Sequence, residues 1–504
     1  MTFVTPRVRR QLPYWTVLAS SALICALMSL FTPFQLDDYQ FIGAWRESSG
    51  GSDVFSWSSW AGFMEIIRNN DNMRLSNVLS PISTMFSPWR ELFPWLSGLL
   101  YASIVAMVMK LGGVTRQRGF WAAVSWAAMI LFLPWRNQLF VRDYLLNYLW
   151  SGTVTLLAVI LALRTLERRG FLLALVMVII AGWWHEGFAI PVVAGMAVVT
   201  LKRRLNTGWR WWIVMTVYGV VGVSVFVCPG MLSRIPMEVT TEPALSMVLR
   251  RLIGLSFVGL AVCAALICII IRHRPLFSSP TFVVIFTAMI ISSIISLCVR
   301  PSDRTTFFPE LCAIVIMLII FSPLHFSHQK TATVGIIIWM ICMAQGVWAV
   351  IWQHRLLEDN DKIMALFDGN AKTVFYDAIQ PEDVPFTTLK FPVRTCWVEP
   401  FAYEALDNFL DGDGAVVVPT VLREASDSIS VRLEGNLGVR RIGNALWTTP
   451  DVAEIPGVSV TMSDGSIRQT GSVALPFVTE RGDSLLYLKV FNTPVSDIVA
   501  VSCL

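Results

Sequence analysis

Long apolar runs alternate with short polar stretches along the first 353 residues of the chain. A bilayer core is about 30 Å thick and a helix rises about 1.5 Å per residue, so a run of about twenty apolar residues predicts a membrane-crossing helix. Two shorter runs, near 170–183 and 187–201, flank the stretch GWWHEG. They are either two thin spans or one broken re-entrant pair, and we favour two spans, which gives eleven in all. The other nine predicted spans lie near residues 14–34, 92–110, 119–134, 147–164, 210–228, 251–271, 281–299, 305–322 and 334–353.

The positions of the cations give these spans an orientation. Lys and Arg recur in every second loop. In membrane proteins, the loops that face the cytoplasm carry an excess of Lys and Arg. The pattern predicts a cytoplasmic N-terminus and, after eleven crossings, a tail outside the cytoplasm from about residue 354. The basic loops contain Arg7, Arg9 and Arg10; Lys110, Arg116 and Arg118; Arg164, Arg168 and Arg169; Lys202, Arg203 and Arg204; and Arg272 and Arg274.

Two polar regions are long enough to fold on the outer side. The first outer loop, 35–91, contains an amphipathic stretch at 54–68 that predicts a helix lying in the membrane interface, with Trp57 and Trp60 on its apolar face. The tail, 354–504, begins with a helical pattern and continues as short β-like runs separated by Gly, Pro, Asn and Asp. We therefore predict a polytopic α-helical membrane domain, 1–353, followed by an α/β or mostly β extracytoplasmic domain, 354–504.

Composition excludes several classes of function. With 55% apolar and 15% charged residues and a mean hydropathy of +0.61, the chain is not an ordinary soluble enzyme. No basic stripe interleaved with aromatic residues indicates a nucleic-acid partner. The N-terminal apolar run has no small-residue cleavage site after it and is interpreted as an uncleaved first span. No Walker loop, GxGxxG, HExxH or haem motif occurs, so we expect no cofactor, and a metal requirement is left open.

An acidic pair, Asp37 and Asp38, follows the first apolar run almost at once. A charge at the end of an apolar helix is costly to keep there, which favours a function. Three interpretations stay open: an acidic helix cap, a catalytic base, or part of a site that binds a cation or a substrate hydroxyl.

Other polar residues gather in the loops predicted to lie on the same outer side. Arginine suits phosphate because its planar fork donates two parallel hydrogen bonds. His185 and Glu186 lie between the two short apolar runs, where a broken helix would line a cavity. The asparagines supply hydrogen bonds of the kind that sugars accept. The predicted substrate- or phosphate-binding residues are Arg74, Arg136, Arg142, Arg234, Arg304, His185, Glu186 and Asn147, with Asn72, Asn77, Asn137, Trp150, Trp183 and Trp184 as weaker candidates for sugar contacts.

The Leu36-Asp37-Asp38-Tyr39 stretch after the first span, the amphipathic segment 54–68 and the extracytoplasmic tail resemble the GT-C superfamily of membrane glycosyltransferases. Within that superfamily the chain is similar to the bacterial and phage Gtr enzymes that modify O-antigen. The resemblance implies a bacterial inner-membrane enzyme that takes a sugar from a polyprenyl-phosphate carrier and transfers it, with inversion, to a periplasmic glycan such as O-antigen in lipopolysaccharide. It also implies that Asp37 or Asp38 deprotonates the acceptor hydroxyl.

Other functions fit parts of the same pattern. A transporter or flippase for lipid-linked glycans would use outer arginines and broken helices, but it would also place polar residues near the bilayer midplane. An O-antigen polymerase or ligase would use a lipid-diphosphate donor and would need no acid after the first span. A membrane anchor whose tail binds a partner leaves the multi-span body without a role.

Overall fold

The computed structural model describes residues 6–34, 37–52, 54–116, 118–135, 140–232, 255–271, 275–298, 303–324, 328–367, 373–379, 416–450, 457–490 and 495–503. Of the described residues, 68% are helical. It divides into two compact units: the first contains the residues up to Thr32 and Ala44–Gln353, and the second contains Pro33–Gly43 and the described residues from His354 onward.

Helices account for nearly all of the first unit. Each predicted span overlaps a helix. A long apolar run folds as a helix because a helix satisfies its own backbone hydrogen bonds in apolar surroundings. The helices are α1 (Pro6–Leu30), α2 (Asp37–Ser49), α3 (Trp57–Asn70), α4 (Leu75–Thr84), α5 (Trp89–Leu111), α6 (Gly119–Phe132), α7 (Arg142–Tyr144), a π-helical turn (Leu145–Trp150), α8 (Ser151–Thr165), α9 (Phe171–Trp184), α10 (Glu186–Lys202), α11 (Trp209–Ser224), α12 (Ser256–Ile270), α13 (Pro280–Cys298), α14 (Phe307–Phe321) and α15 (His328–Phe367).

The number of full-length spans differs from the prediction. Among the described residues, six helices are long and apolar enough to cross a membrane, fewer than the eleven predicted. Three further apolar helices, α6, α9 and α12, have only 14, 14 and 15 residues. At about 1.5 Å per residue such helices reach about 21–23 Å, short of a bilayer core of about 30 Å. The six long segments are Gln11–Leu30, Trp89–Leu111, Arg142–Thr165, Pro280–Leu297, Arg304–Phe321 and Thr331–Phe367.

Small residues let the main helix pairs approach closely. A Cβ at Gly98 of α5 would lie 2.4 Å from the Ala22 carbonyl oxygen of α1. A Cβ at Gly195 of α10 would likewise lie 2.5 Å from the Val284 carbonyl oxygen of α13. Backbone contact of this kind is typical of helices packed in a membrane, where small residues replace the hydrophobic driving force of water.

The loop between α1 and α5 folds into three helices, of which α3 packs on the rest through one face. Ser59 and Phe63 are buried, whereas Trp57 is 79% exposed. The reason is an aromatic cluster around the fully buried Trp45, whose ring lies 6.1 Å from Phe63 and 5.0 Å from Phe86. This cluster sets the rotation of α3 and leaves Trp57 outward.

The second unit contains the C-terminal β-sheet region that the sequence predicts. A parallel pair, β1 and β2, accompanies a seven-stranded antiparallel sheet of order β3-β4-β5-β8-β7-β6-β9. The strands are β1 (Thr373–Phe375), β2 (Val416–Val418), β3 (Val431–Arg432), β4 (Arg440–Ile442), β5 (Ala445–Thr448), β6 (Gly457–Met462), β7 (Ile467–Val478), β8 (Ser484–Val490) and β9 (Ile498–Cys503).

Backbone hydrogen bonds close this sheet on itself. Glu434, just after β3, donates its N–H to Val499 O at 3.2 Å and accepts from Val501 N at 2.8 Å, and so joins the two edge strands. Closure removes exposed strand edges, which otherwise pair with other chains. The enclosed core contains Leu433, Leu437, Val439, Leu446, Val458, Val460, Met462, Leu488, Val490, Ile498 and Val501.

The outer face of the same sheet is also covered. Trp447, Phe477 and Tyr487 pack in a second core with β1, β2 and Ile363 near the end of α15. Burial on both faces explains why β5 is apolar at successive positions instead of alternating.

Substitution of Gly435 tests the closure. Gly435 has a φ of +126°, and a Cβ there would lie 1.8 Å from Val501 O, so Gly435→Ala must push the closing strands apart. We expect a loss of more than about 2 kcal/mol in the free energy of unfolding. Thermal unfolding of the full chain in detergent measures it. Gly438→Ala is the matched control, because φ is +60° there but the space is open, and it should cost only about 1 kcal/mol. Equal losses for the two variants would contradict the closure.

Candidate functional site

The chain breaks between α9 and α10 at one residue. α9 ends at Trp184, His185 has extended backbone angles (φ −157°, ψ 112°), and α10 begins at Glu186. The break exposes backbone groups inside an apolar bundle, and such interruptions occur where the backbone lines a cavity or is satisfied by neighbouring groups.

A bidentate ion pair holds this break to the loop before α4. Arg74 donates from Nε to Glu186 Oε2 at 2.8 Å and from Nη2 to Oε1. The side chains are 18% and 4% exposed, respectively. Burial opposes both charges, yet Glu186 raises the pKa of Arg74 above its usual value, and Arg74 lowers the pKa of Glu186 to about 2. Both groups therefore stay charged at neutral pH.

His185 is held in one tautomer. Its Nδ1 accepts a hydrogen bond from Gly187 N at 3.1 Å. Burial and the positive charge of Arg74 lower the pKa of His185 to about 3, so the imidazole is neutral and its proton lies on Nε2. The residue is 7% exposed, and no described residue accepts a hydrogen bond from Nε2. The site thus contains a buried donor.

A network of amides and carboxylates joins the loop before α4, α4 itself, α7 and the π-helical turn. Asn77 donates to Asn72 Oδ1 at 3.1 Å and to Asp71 Oδ2 at 3.3 Å. Asn147 donates to Asn77 Oδ1 at 3.0 Å and to Asp143 Oδ2 at 2.8 Å. These five side chains are all buried, and hydrogen bonding repays the cost of burying them.

The network reaches the α9–α10 break through Ser76. Its hydroxyl donates to Asn147 Oδ1 at 2.6 Å and lies 3.5 Å from the carbonyl oxygen of Trp184. Asn147 belongs to the π-helical turn Leu145–Trp150, and π-helical turns are frequent at functional sites. Loop, π-helical turn and helix break together form what we call the break cluster: Asp71, Asn72, Arg74, Ser76, Asn77, Asp143, Asn147, His185 and Glu186.

The acidic pair after the first span belongs to the second unit. Asp37 and Asp38 occupy the first turn of α2, where the helix dipole favours negative charge. Asp37 is half-buried, and Asp38 is buried with 0% exposure. The two carboxylates therefore differ in access, which their adjacent positions in the sequence do not reveal.

The predicted arginines fall in different environments. Arg142 donates to the carbonyl oxygens of Ser83 and Arg90, so its guanidinium serves backbone acceptors. Arg304 is half-buried, with its guanidinium carbon 3.7 Å from the ring centre of Tyr144. Arg74 lies in the break cluster, as do His185, Glu186 and Asn147. Arg136 and Arg234 lie outside the described residues, as does Asn137.

Two of the three predicted sugar-stacking tryptophans are occupied by packing. Trp150 stacks on Phe93 at 5.4 Å and on Trp184 at 6.1 Å. Trp183 differs, because it is 38% exposed while its Nε1 donates to Met73 O at 2.7 Å. Trp183 is therefore the tryptophan of the three that retains an accessible ring.

Asp71 and Asp143 were missed by the sequence analysis. Asp143 precedes Asn147 by four residues, the spacing that places two side chains on one helix face. The contact between the two was therefore predictable from the stretch RDYLLN. Asp71 stands within NNDNMRLSN and had no such signal. Gly230 packs against it: a Cβ there would lie 2.2 Å from Asp71 O.

Among the described residues, no group of three or more His, Cys, Asp or Glu side chains is arranged to hold a metal ion. No protein-family model matches the chain, and a search of curated proteins finds no match.

Removing one partner of the buried ion pair tests its importance. Arg74→Met leaves the Glu186 carboxylate buried without its cation, so the free energy of unfolding should fall by about 3–5 kcal/mol. The double variant Arg74→Met/Glu186→Leu removes both charges and should recover most of that loss. Thermal unfolding in detergent compares the two variants.

The exposed pair Arg90–Glu91 supplies the control for this measurement. Arg90→Ala should change the free energy of unfolding by less than about 1 kcal/mol, because surface pairs contribute little. A double variant as unstable as Arg74→Met would contradict the interpretation.

Proposed function

We propose that this chain is a membrane glycosyltransferase that moves a sugar from a polyprenyl-phosphate carrier to a glycan acceptor, such as O-antigen, outside the cytoplasm. The observation that carries the proposal is the break cluster. Several amides, carboxylates, a guanidinium and an imidazole converge inside a bundle whose other interior residues are mostly apolar. A few convergent polar groups within apolar walls are typical of a small-molecule site.

An apolar cavity in the first unit supports a lipid-linked donor. It has a volume of about 250 Å³ and lies between α6, α12 and α14. Its lining has no polar surface, which suits a hydrocarbon chain such as polyprenyl. The lining residues are Trp121, Val124, Ser125, Ala128, Phe132, Phe257, Ile314, Met317, Leu318, Phe321 and Leu324.

Asp37 is the base in this proposal, because it is the more accessible carboxylate of the acidic pair. Its carboxylate takes the proton of the acceptor hydroxyl as that oxygen bonds to the anomeric carbon. The bond from the anomeric carbon to the phosphate oxygen breaks, and the carrier leaves as polyprenyl phosphate. A single displacement of this kind inverts the anomeric configuration.

Substitution of the acids tests the base. Asp37→Asn keeps the size of the side chain but cannot accept the proton, so the rate of transfer should fall by about 10²–10⁴-fold. The assay measures transfer from polyprenyl-phosphate glucose, with other sugars in parallel, to isolated O-antigen in membranes that contain equal amounts of each variant. Asp38→Asn is the matched control: it should lower the amount of folded protein rather than the rate per folded molecule, because Asp38 is fully buried. Unchanged turnover in Asp37→Asn would refute the assignment.

The predicted topology belongs to the same proposal: an N-terminus in the cytoplasm and the second unit in the periplasm of a bacterial inner membrane. Cys503 is an exposed cysteine of the second unit. In a variant with every other cysteine replaced by serine, a membrane-impermeant maleimide should label Cys503 in spheroplasts with an intact inner membrane.

Arg169 provides the opposite marker, because it is exposed and lies in a loop predicted to be cytoplasmic. A cysteine introduced by Arg169→Cys, with Cys503→Ser, should be labelled only after the inner membrane is lysed. Labelling of both positions from the same side would overturn the topology.

Transport of a lipid-linked glycan is the second candidate function. The observation that favours it is the discontinuous pair α9 and α10 with a buried ion pair at the break, an arrangement that also occurs in transporters. Reconstituted vesicles separate the two: flipping of a labelled polyprenyl-phosphate sugar without sugar transfer identifies a flippase. A polymerase or ligase would instead require a polyprenyl-diphosphate donor.

A further inference from the structure

The buried proton of His185 identifies the kind of ligand that the break cluster accepts. Its Nδ1 is occupied by Gly187 N, so the hydrogen-bonding capacity that remains is the Nε2 donor. A buried donor without an acceptor costs free energy comparable to a lost hydrogen bond. Because no described residue accepts from Nε2, a bound oxygen atom is the natural acceptor.

The charges around His185 distinguish a neutral oxygen from an anion. Arg74 is the cation of the break cluster, and both its Nε and its Nη2 already donate to Glu186. The cluster also contains the carboxylates of Asp71 and Asp143, which accept from asparagine amides. The cluster thus contains three carboxylates and one guanidinium that is already paired. This excess of negative charge disfavours the binding of a phosphate there. A hydroxyl fits, because it accepts from Nε2 and donates its own proton.

Aromatic rings pack beside His185, and one of them suits the apolar part of the same ligand. Phe188 stacks on the imidazole with 4.6 Å between ring centres, and Tyr148 lies 5.7 Å away. Phe307 and Phe308 of α14 stack on Phe188 in turn. The three phenylalanines are buried, whereas Tyr148 is half-buried. A partly accessible aromatic ring beside one directed donor matches a sugar ring, which combines C–H faces with hydroxyl groups.

We propose that His185 Nε2–H donates a hydrogen bond to a hydroxyl of an uncharged hexose, so that the α9–α10 break is a sugar subsite and the donor phosphate binds elsewhere. The identification of this hexose as the transferred sugar rests on the proposed function. Binding of the sugar itself is independent of transfer and is measured without donor or acceptor.

Saturation-transfer difference NMR on the full chain in nanodiscs tests the subsite. The probes are the methyl glycosides of glucose, galactose and mannose, N-acetylglucosamine, and inorganic phosphate followed by ³¹P line broadening. At least one glycoside should bind, and phosphate should not displace it. In His185→Leu the dissociation constant of that glycoside should rise by about 5-fold or more, the effect of one lost hydrogen bond. In His185→Gln, whose amide also donates, it should stay within about 2-fold.

His354→Leu is the matched control, because His354 lies half-exposed on α15, and it should leave binding unchanged. Unchanged glycoside binding in His185→Leu, displacement of the glycoside by phosphate, or no glycoside binding by the wild-type chain would each overturn the proposal. If His185→Leu does not fold, the wild-type competition with phosphate still decides. Glycoside binding that depends on His185 in a chain that transfers no sugar would refute the glycosyltransferase and leave the subsite intact.

Discussion

A buried ion pair between Arg74 and Glu186 fixes the geometry on which the rest of the first unit's polar interior depends. It joins the loop before α4 to the start of α10 across 112 positions of sequence. Taking both charges out of water costs several kcal/mol per ion, and only close bidentate geometry repays it. The pair also determines the state of its neighbour, because the charge of Arg74 helps to keep His185 neutral.

The hydrogen bonds around this pair make the donor at His185 Nε2 informative, because no described residue accepts from it. Asparagine amides donate to both carboxylate oxygens of Asp71 and to Oδ2 of Asp143, and Glu186 accepts from Arg74, so hydrogen bonds hold these side chains in place. Preorganised groups bind with little loss of conformational entropy. Within this frame the proton on His185 Nε2 is a donor among aromatic rings and an excess of carboxylates. Such a setting favours recognition of hydroxyl groups over recognition of a phosphate.

The sequence predicted what depends on local composition. Apolar runs located the long apolar helices, and GWWHEG located the break at His185, because burial in lipid imposes one pattern on each segment. The runs did not predict α2 and α4, which lie in the loop 35–91. Among the described residues, fewer helices than predicted reach spanning length, because α6, α9, α10, α11 and α12 have only 14 to 17 residues. Partners distant in sequence could not be predicted: the pairing of Arg74 with Glu186, and the closure of the sheet at Glu434, depend on tertiary contacts. The difference in burial between Asp37 and Asp38 likewise arises from packing.

The most direct measurement of the central claim is an electron cryomicroscopy map of the protein in nanodiscs with a non-transferable phosphonate analogue of a polyprenyl-phosphate hexose. The account predicts density for the hexose at the α9–α10 break, with a hydroxyl oxygen within about 3.2 Å of His185 Nε2. A hexose bound away from the break, or a phosphonate oxygen at Nε2, would contradict it.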